Sequence, residues 1–333
     1  MTLKATVLGA GNFGTALASV LLAGGHDVTL WCFESGHAEE ILAAGRNPRY
    51  ARDADLSGIH ATNSLVDAVT GAELVLFVSP SHATRTIARQ VAPHLHPGAI
   101  VACASKGIEE SGATMNEVLE SELGDIEQRV GYLSGPSFAF EIVQRRPTAV
   151  VVAARNDVVA AKIQAAFSTS FFRVYTTHDV VGVELGGAVK NIIAIASGIS
   201  DGLEFGHNAR AGLITRGLAE MTRLGVALGA EPLTFMGLAG MGDLVLTCCG
   251  DLSRNRTVGK RLASGMSLDE VTESLGGQVA EGVKTTASTH RLAKRLGLDM
   301  PIVDVVHRIL YEGADPRDCV VELMGRPLKR EQD

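Results

Sequence analysis

Six short apolar runs punctuate the first half of the chain: Ala5–Leu8, Val28–Cys32, Leu74–Val78, Ile100–Ala104, Val130–Leu133 and Ala149–Ala153. They are rich in Val, Ile, Leu and Ala without polar alternation, the pattern of strands covered on both faces of a parallel sheet. Helical spacing lies between them, as at Leu17, Val20 and Leu21 within Thr15–Ala23. This repeat of strand, helix and strand predicts an α/β fold with a doubly wound sheet. Past about Tyr175 the periodicity becomes helical, over Val183–Ile199, Ala209–Leu228 and Pro301–Glu312. The last of these has Pro at its first position, Gly313 beyond its end, and one stripe of Ile302, Val305, Val306, Ile309 and Leu310. The expectation is a dinucleotide-binding sheet domain over residues 1–176 and an all-helical domain over 177–333. No Gly/Ser-rich or Pro-rich linker separates them, so close packing with a cleft between is expected.

At 46% hydrophobic and 20% charged residues, the 333-residue chain is too apolar for disorder. Thirty Lys and Arg against 37 Asp and Glu leave a net charge of −7, which argues against nucleic-acid and anionic-membrane partners. The longest apolar run, Leu185 to Ser200, is interrupted by Lys190 and rich in Gly and Ala. It reads as a buried helix and not as a membrane span. The five cysteines lack C-x-x-C spacing and read as reduced thiols, which with the strand-like N-terminus points to the cytoplasm. No metal-ligand spacing is evident, and no metal is expected.

Gly9-Ala10-Gly11-Asn12-Phe13-Gly14 follows the first strand and opens the first helix. In that context Gly9 permits a tight turn, Gly11 admits a pyrophosphate to the backbone, and Gly14 lets helix and sheet pack closely. The alternative is a glycine-rich turn without a ligand. Glu34 stands twenty residues beyond Gly14, where an acid can bond the adenosine ribose and repel the 2′-phosphate of NADP. It can equally be a solvated residue, and Arg46 and Arg49 lie close enough to keep NADP open.

Two isolated charges mark the second half. Lys190 is the only charged residue from Leu185 to Ser200, and Asp243 the only one between Pro232 and Gly250. Burial lowers a lysine pKa toward neutrality, which makes Lys190 a general acid/base candidate with Asp243 as its partner. The rival readings are a snorkelling lysine and a purely structural bridge. Ser253-Arg254-Asn255-Arg256 offers an arginine fork at a helix start, suited to a phosphate dianion. Lys106, after the Ile100–Ala104 strand, and Gly135-Pro136-Ser137-Phe138-Ala139, after Val130–Leu133, lie at strand carboxyl ends where open sheets bind ligands.

Together these motifs resemble the bacterial-type NAD(P)-dependent sn-glycerol-3-phosphate dehydrogenases. The resemblance runs from Gly9-Ala10-Gly11 through Ser105-Lys106-Gly107, Gly135-Pro136-Ser137, Glu184-Leu185-Gly186-Gly187-Ala188-Val189-Lys190-Asn191, Gly240-Met241-Gly242-Asp243, Ser253-Arg254-Asn255-Arg256 and Glu281-Gly282-Val283 to Met300-Pro301-Ile302-Val303 and Leu323-Met324-Gly325-Arg326-Pro327-Leu328. It covers nearly the whole chain, and the Lys190 block with the Ser253–Arg256 block is its most specific part.

The resemblance implies a Rossmann-type N-terminal domain and a helical domain like that of 6-phosphogluconate dehydrogenase. It implies reversible reduction of dihydroxyacetone phosphate to sn-glycerol 3-phosphate, supplying the phospholipid backbone, in a homodimer. By similarity Lys190 exchanges the proton. Lys106, Gly135, Ser137, Asp243, Ser253, Arg254 and Asn255 surround the substrate, with Asn191 and Thr247 nearby. Gly9, Gly11, Asn12, Phe13, Gly14, Phe33, Lys106, Ala139, Arg254, Val279 and Glu281 hold the dinucleotide. Two departures stand out. Position 12 is Asn where Ser or Thr is frequent, and Cys32-Phe33-Glu34 follows Trp31 where many members carry an arginine. The second shifts the cofactor expectation, NAD or NADP, modestly toward NAD. A dehydrogenase acting on a carboxylate substrate and a cofactor-sensing regulator are the competing expectations.

Overall fold

The computed structural model describes residues 2–124, 126–276, 280–328 and 330–331. Eight strands form one sheet: β1 Lys4–Leu8, β2 Asp27–Trp31, β3 His60–Thr62, β4 Leu74–Phe77, β5 Ile100–Cys103, β6 Val130–Ser134, β7 Thr148–Ala153 and β8 Phe172–Thr177. Their order is β3-β2-β1-β4-β5-β6-β7-β8. The first six run parallel. Every residue of β4 and of β6 is buried, as strands covered on both faces require. The strand order reverses between β1 and β4, which opens a crevice at their carboxyl ends.

The parallel expectation fails at one edge. β7 is antiparallel to β6, with Leu133 opposite Val152, and β8 runs parallel to β7. Between β6 and β7 the only helix is the five-residue Ala139–Val143. At about 1.5 Å per residue that helix is shorter than β6 itself and does not carry the chain back along the sheet, so β7 starts from the end where β6 stopped. Two strands had no apolar run to announce them. β3 has three residues, none of them buried. β8 alternates, with Phe172 and Val174 buried and Arg173 and Tyr175 exposed, as an edge strand with one covered face does.

After β8 the described elements are helical, built around the helix Val180–Gly202. By length and composition this helix could cross a membrane, yet 83% of its most apolar window is buried inside the protein. Helices Gly206–Ala227, Asp243–Cys249, Arg254–Ala263, Glu281–Leu296 and Pro301–Tyr311 pack against it. Gly198 and Gly259 make its crossing with Arg254–Ala263 so close that a Cβ on either would overlap backbone of the other helix. The stripe expected on Pro301–Tyr311 is present, with Ile302, Val305, Val306 and Leu310 buried. The N-terminal N–H groups of that helix donate to the buried Glu220 carboxylate, Ile302 at 2.7 Å and Val303 at 3.2 Å.

Glu184 joins the central helix to the sheet layer. Its Oε1 accepts from the Asn116 N–H at 2.7 Å, in the first turn of Met115–Leu123. Burial pushes its carboxyl up to about 8 against the pull of that bond. The unfolded chain therefore releases this proton first, and Glu184 lowers folding stability progressively as pH rises from about 4.5 to about 8. Glu184→Gln removes the titration. In thermal or urea unfolding, the variant is expected to gain a few kcal/mol on the native protein across that window. A difference that does not change with pH would contradict the assignment.

Candidate active site

The glycine turn is built by two different requirements. Gly9, directly after β1, has φ +128°, and an added Cβ would stand 2.9 Å from the Val78 carbonyl oxygen at the end of β4. A Cβ on Gly14 would overlap the Gly9 carbonyl. The fold itself demands those two glycines. Gly11 differs: its φ is an ordinary −72°, and nothing lies within 4 Å of an added Cβ. No protein contact explains its missing side chain. Gly11 borders open space at the start of Asn12–Ala23, a helix without a side-chain cap. Unobstructed N–H groups at the positive end of a helix dipole fit a dinucleotide pyrophosphate.

Side chains distant in sequence support this turn. Asn47 donates to the Ala10 carbonyl at 2.9 Å and to Thr15 Oγ1 at 2.8 Å, and its Oδ1 meets His37 Nε2 at 2.8 Å. The backbone N–H of Ala51 donates to Asn12 Oδ1 at 2.8 Å. Phe33 is 81% exposed beside Trp31 at the end of β2, with ring centroids 6.2 Å apart. The neighbouring Glu34 accepts from Tyr50 Oη at 3.1 Å and lies 3.4 Å from His37 Nδ1. Burial pushes its carboxyl up, but bonds from its own backbone, Tyr50 and His37 outweigh this and hold it below the ordinary value. Glu34 is therefore an anion at neutral pH. Arg49 grips Glu40 through Nε at 2.8 Å and a terminal nitrogen at 2.6 Å, so its guanidinium is already engaged by a carboxylate.

The isolated charges of the helical half meet as expected, with one addition. Lys190 is 6% exposed and Asp243 1% exposed. Lys190 Nζ donates to Asp243 Oδ1 at 2.5 Å and to Thr247 Oγ1 at 2.8 Å. Lys106 Nζ donates to the other carboxylate oxygen at 2.7 Å and to the Gly135 carbonyl at 3.3 Å. Lys190 does not snorkel. One carboxylate thus serves two ammonium groups, the second contributed by the sheet half of the molecule. Burial lowers the Lys190 pKa to about 8; Asp243 raises it and the nearby Lys106 lowers it further. The two lysines hold the Asp243 carboxyl below its usual range despite burial.

Backbone geometry permits this meeting. A single π-turn, Leu238–Gly242, precedes Asp243, and an added Cβ on Gly186 of the central helix would stand 2.5 Å from the Ala239 carbonyl oxygen. On the same helix a Gly187 Cβ would meet Ser134 Oγ at 2.8 Å and Lys106 Cδ at 3.6 Å. Both glycines let the helix bring Lys190 close to its partners. Gly135 has φ +135°, and its carbonyl also accepts from Ser137 Oγ at 2.8 Å. The Lys106 ammonium stands 5.5 Å from the centroid of the Phe13 ring, which links this cluster to the glycine turn.

Ser253 caps the helix Arg254–Ala263, its Oγ accepting from the Arg256 N–H at 3.2 Å. Arg254 is exposed in the first turn, and the buried Asn255 donates to Asn191 Oδ1 at 2.8 Å while accepting from the Gly282 N–H at 3.0 Å. Glu281 opens the helix Glu281–Leu296 and accepts from Ser81 Oγ at 3.1 Å. Ala139 opens the short helix after Phe138. Val279 lies outside the described residues. Among the described residues no group of three or more His, Cys, Asp or Glu is arranged to hold a metal ion.

Comparison with known proteins places this geometry. The family models described as the N-terminus and the C-terminus of NAD-dependent glycerol-3-phosphate dehydrogenase match residues 4–160 and 179–321. Proteins named glycerol-3-phosphate dehydrogenase [NAD(P)+] from Nitratidesulfovibrio vulgaris and Geobacter sulfurreducens are each 52% identical, covering 99% and 100% of this chain and 100% of their own. The crystal structure of glycerol-3-phosphate dehydrogenase from Coxiella burnetii is 41% identical with a TM-score of 0.93, over 98% of this chain and 99% of that one. With both halves matched and the identity spread over the full length, the chain belongs to the NAD-dependent glycerol-3-phosphate dehydrogenase family.

Proposed function

We propose that the protein catalyses the reversible reduction of dihydroxyacetone phosphate to sn-glycerol 3-phosphate. The observation that carries this reading is the buried Lys190 ammonium, held by Thr247 and by an Asp243 carboxylate shared with Lys106, whose own ammonium stands 5.5 Å from the Phe13 ring of the glycine turn. The nicotinamide dinucleotide, when bound, supplies or accepts the hydride. Gly9, Gly11, Asn12, Phe13 and Gly14 hold its pyrophosphate side, with Phe33, Ala139, Val279, Glu281, Lys106 and Arg254 as further contacts. Lys190 delivers a proton to the substrate ketone oxygen, and as an amine takes it back in oxidation. Lys106 stabilises the negative charge that develops on that oxygen. Gly135 and Ser137 line the substrate from the sheet side. Ser253, Arg254 and Asn255 receive its phosphate at a helix start.

NAD is the preferred cofactor in this reading. The anionic Glu34 repels a 2′-phosphate at the end of β2, and Arg49 is engaged by Glu40. The dehydrogenase supplies the glycerol backbone of phospholipids, works in the cytoplasm and forms a homodimer. The family resemblance supports these three assignments, and the unpaired cysteines suit a reducing compartment.

The test follows nicotinamide absorbance with dihydroxyacetone phosphate and NADH or NADPH in separate assays. Turnover with both is expected, with the higher kcat/KM for NADH. Tight cofactor binding without turnover would refute the enzymatic reading, and preference for a 2-keto acid would replace the substrate. Light scattering is expected to give twice the 34.9 kDa chain mass.

A further inference from the structure

Arg256, the last residue of the Ser253-Arg254-Asn255-Arg256 block, does not face the crevice as a second phosphate ligand. Its side chain is turned back into the helical half, and the residue is 7% exposed. Nε donates to Asp201 Oδ2 at 2.7 Å, in the last turn of the central helix, and a terminal nitrogen donates to Asp251 Oδ1 at 2.7 Å. Arg210 occupies the other oxygen of Asp201 at 2.8 Å. Two cations and two anions cancel in this cluster, so Arg256 adds no net charge to attract a substrate anion. Its effect is positional.

Asp251 is what makes the position matter. Its side chain is 89% exposed, yet it is fastened to a guanidinium only 8% exposed. It lies in the turn that leads from Gly250 into the Ser253 cap. On the other side of that turn Phe138, in the loop after β6, is packed so tightly that a Cβ on Gly250 would stand 2.5 Å from its ring. The turn is therefore gripped from both halves of the molecule, immediately before the residues proposed to receive the substrate phosphate.

We infer that Arg256 and Asp251 form a clamp that fixes the turn ahead of Ser253 and so positions the Ser253–Asn255 phosphate grip, without touching substrate themselves. This rests on the proposed phosphate role of Ser253, Arg254 and Asn255. Arg256 and Asp251 are positioning residues, and the clamp predicts that substrate affinity, not cofactor affinity, depends on an exposed aspartate.

The test compares Asp251→Asn, Arg256→Lys and Arg254→Gln in steady-state assays. Asp251→Asn is chosen because removing one exposed carboxylate leaves the core packing intact. It is expected to raise KM for dihydroxyacetone phosphate and the inhibition constant of inorganic phosphate by about three- to tenfold, since small misplacements weaken an oriented contact strongly. KM for NADH and the melting temperature are expected to stay unchanged. Arg256→Lys, which keeps the charge but not the two-way fork, is expected to fall between the native protein and Asp251→Asn. If Arg254→Gln raises KM for the substrate while Asp251→Asn does not, the clamp is refuted and the phosphate grip stands. If Arg254→Gln also leaves KM unaltered, the grip and the clamp fail together. A rise in KM for NADH equal to that for substrate, or a matching drop in melting temperature, would reduce the pair to a structural bridge and overturn the inference.

Discussion

Replacing Lys190 with alanine is expected to lower kcat for ketone reduction by about two to four decades, the range for loss of a positioned general acid. The protein should still fold, because Asp243 retains its 2.7 Å bond to Lys106 and no unpaired charge is left behind. Cofactor affinity should hardly change, since the glycine turn does not depend on Lys190. Cofactor fluorescence titration and stopped-flow turnover measure the two effects separately. The pH dependence supplies a second signature. With a pKa lowered to about 8, the ammonium needed for reduction is present below that pH and lost above it. Native kcat for reduction should therefore fall above about pH 8 while kcat for oxidation rises through the same region. Lys190→Ala should lose both limbs. Near-native turnover in the variant would remove Lys190 from the mechanism.

Asp243→Asn is expected to be at least as damaging, for another reason. The native site holds two ammonium groups on one buried carboxylate. Removing that charge leaves Lys106 and Lys190 repelling each other with only a neutral amide between them. Breaking a buried ion pair by deleting one partner typically costs about 3–5 kcal/mol, and urea unfolding at neutral pH should show a loss of that order. Without its counter-charge the Lys190 pKa falls further, so the side chain becomes an amine at neutral pH. Reduction should drop by about two decades or more and recover partly as the pH is lowered. Unchanged stability together with an unshifted pH profile would mean that Asp243 neither stabilises nor tunes the lysines.

Several parts of this arrangement were legible in the chain. A lysine and an aspartate, each alone in an apolar stretch, are legible as partners because an uncompensated buried charge is expensive wherever the chain places it. The fingerprint glycines carry equally local information, since a turn at φ +128° and a helix packed on its own preceding loop both exclude a side chain. Continuous apolar runs announced strands buried on two faces. β3 and β8 lacked that signal, being too short or covered on one side only. The reversal at β7 depended on how far a short connection can reach.

Lys106 shows most clearly where local reading stops. It lies 137 residues from Asp243, among ordinary polar neighbours, and nothing near it in the chain marks it as the second cation on that carboxylate. The same holds for Asn47 beneath the glycine turn and for Arg256, whose sequence company suggests a phosphate ligand while its side chain points to Asp201 and Asp251. Which groups must be buried, which turns must be glycine and which charges need a partner can be read from the chain, because those are costs borne by each residue where it stands. Which distant group supplies each partner, and which way a side chain faces, is settled by long-range packing. Those outcomes depend on helix crossings and strand ends that come together only when the two halves pack.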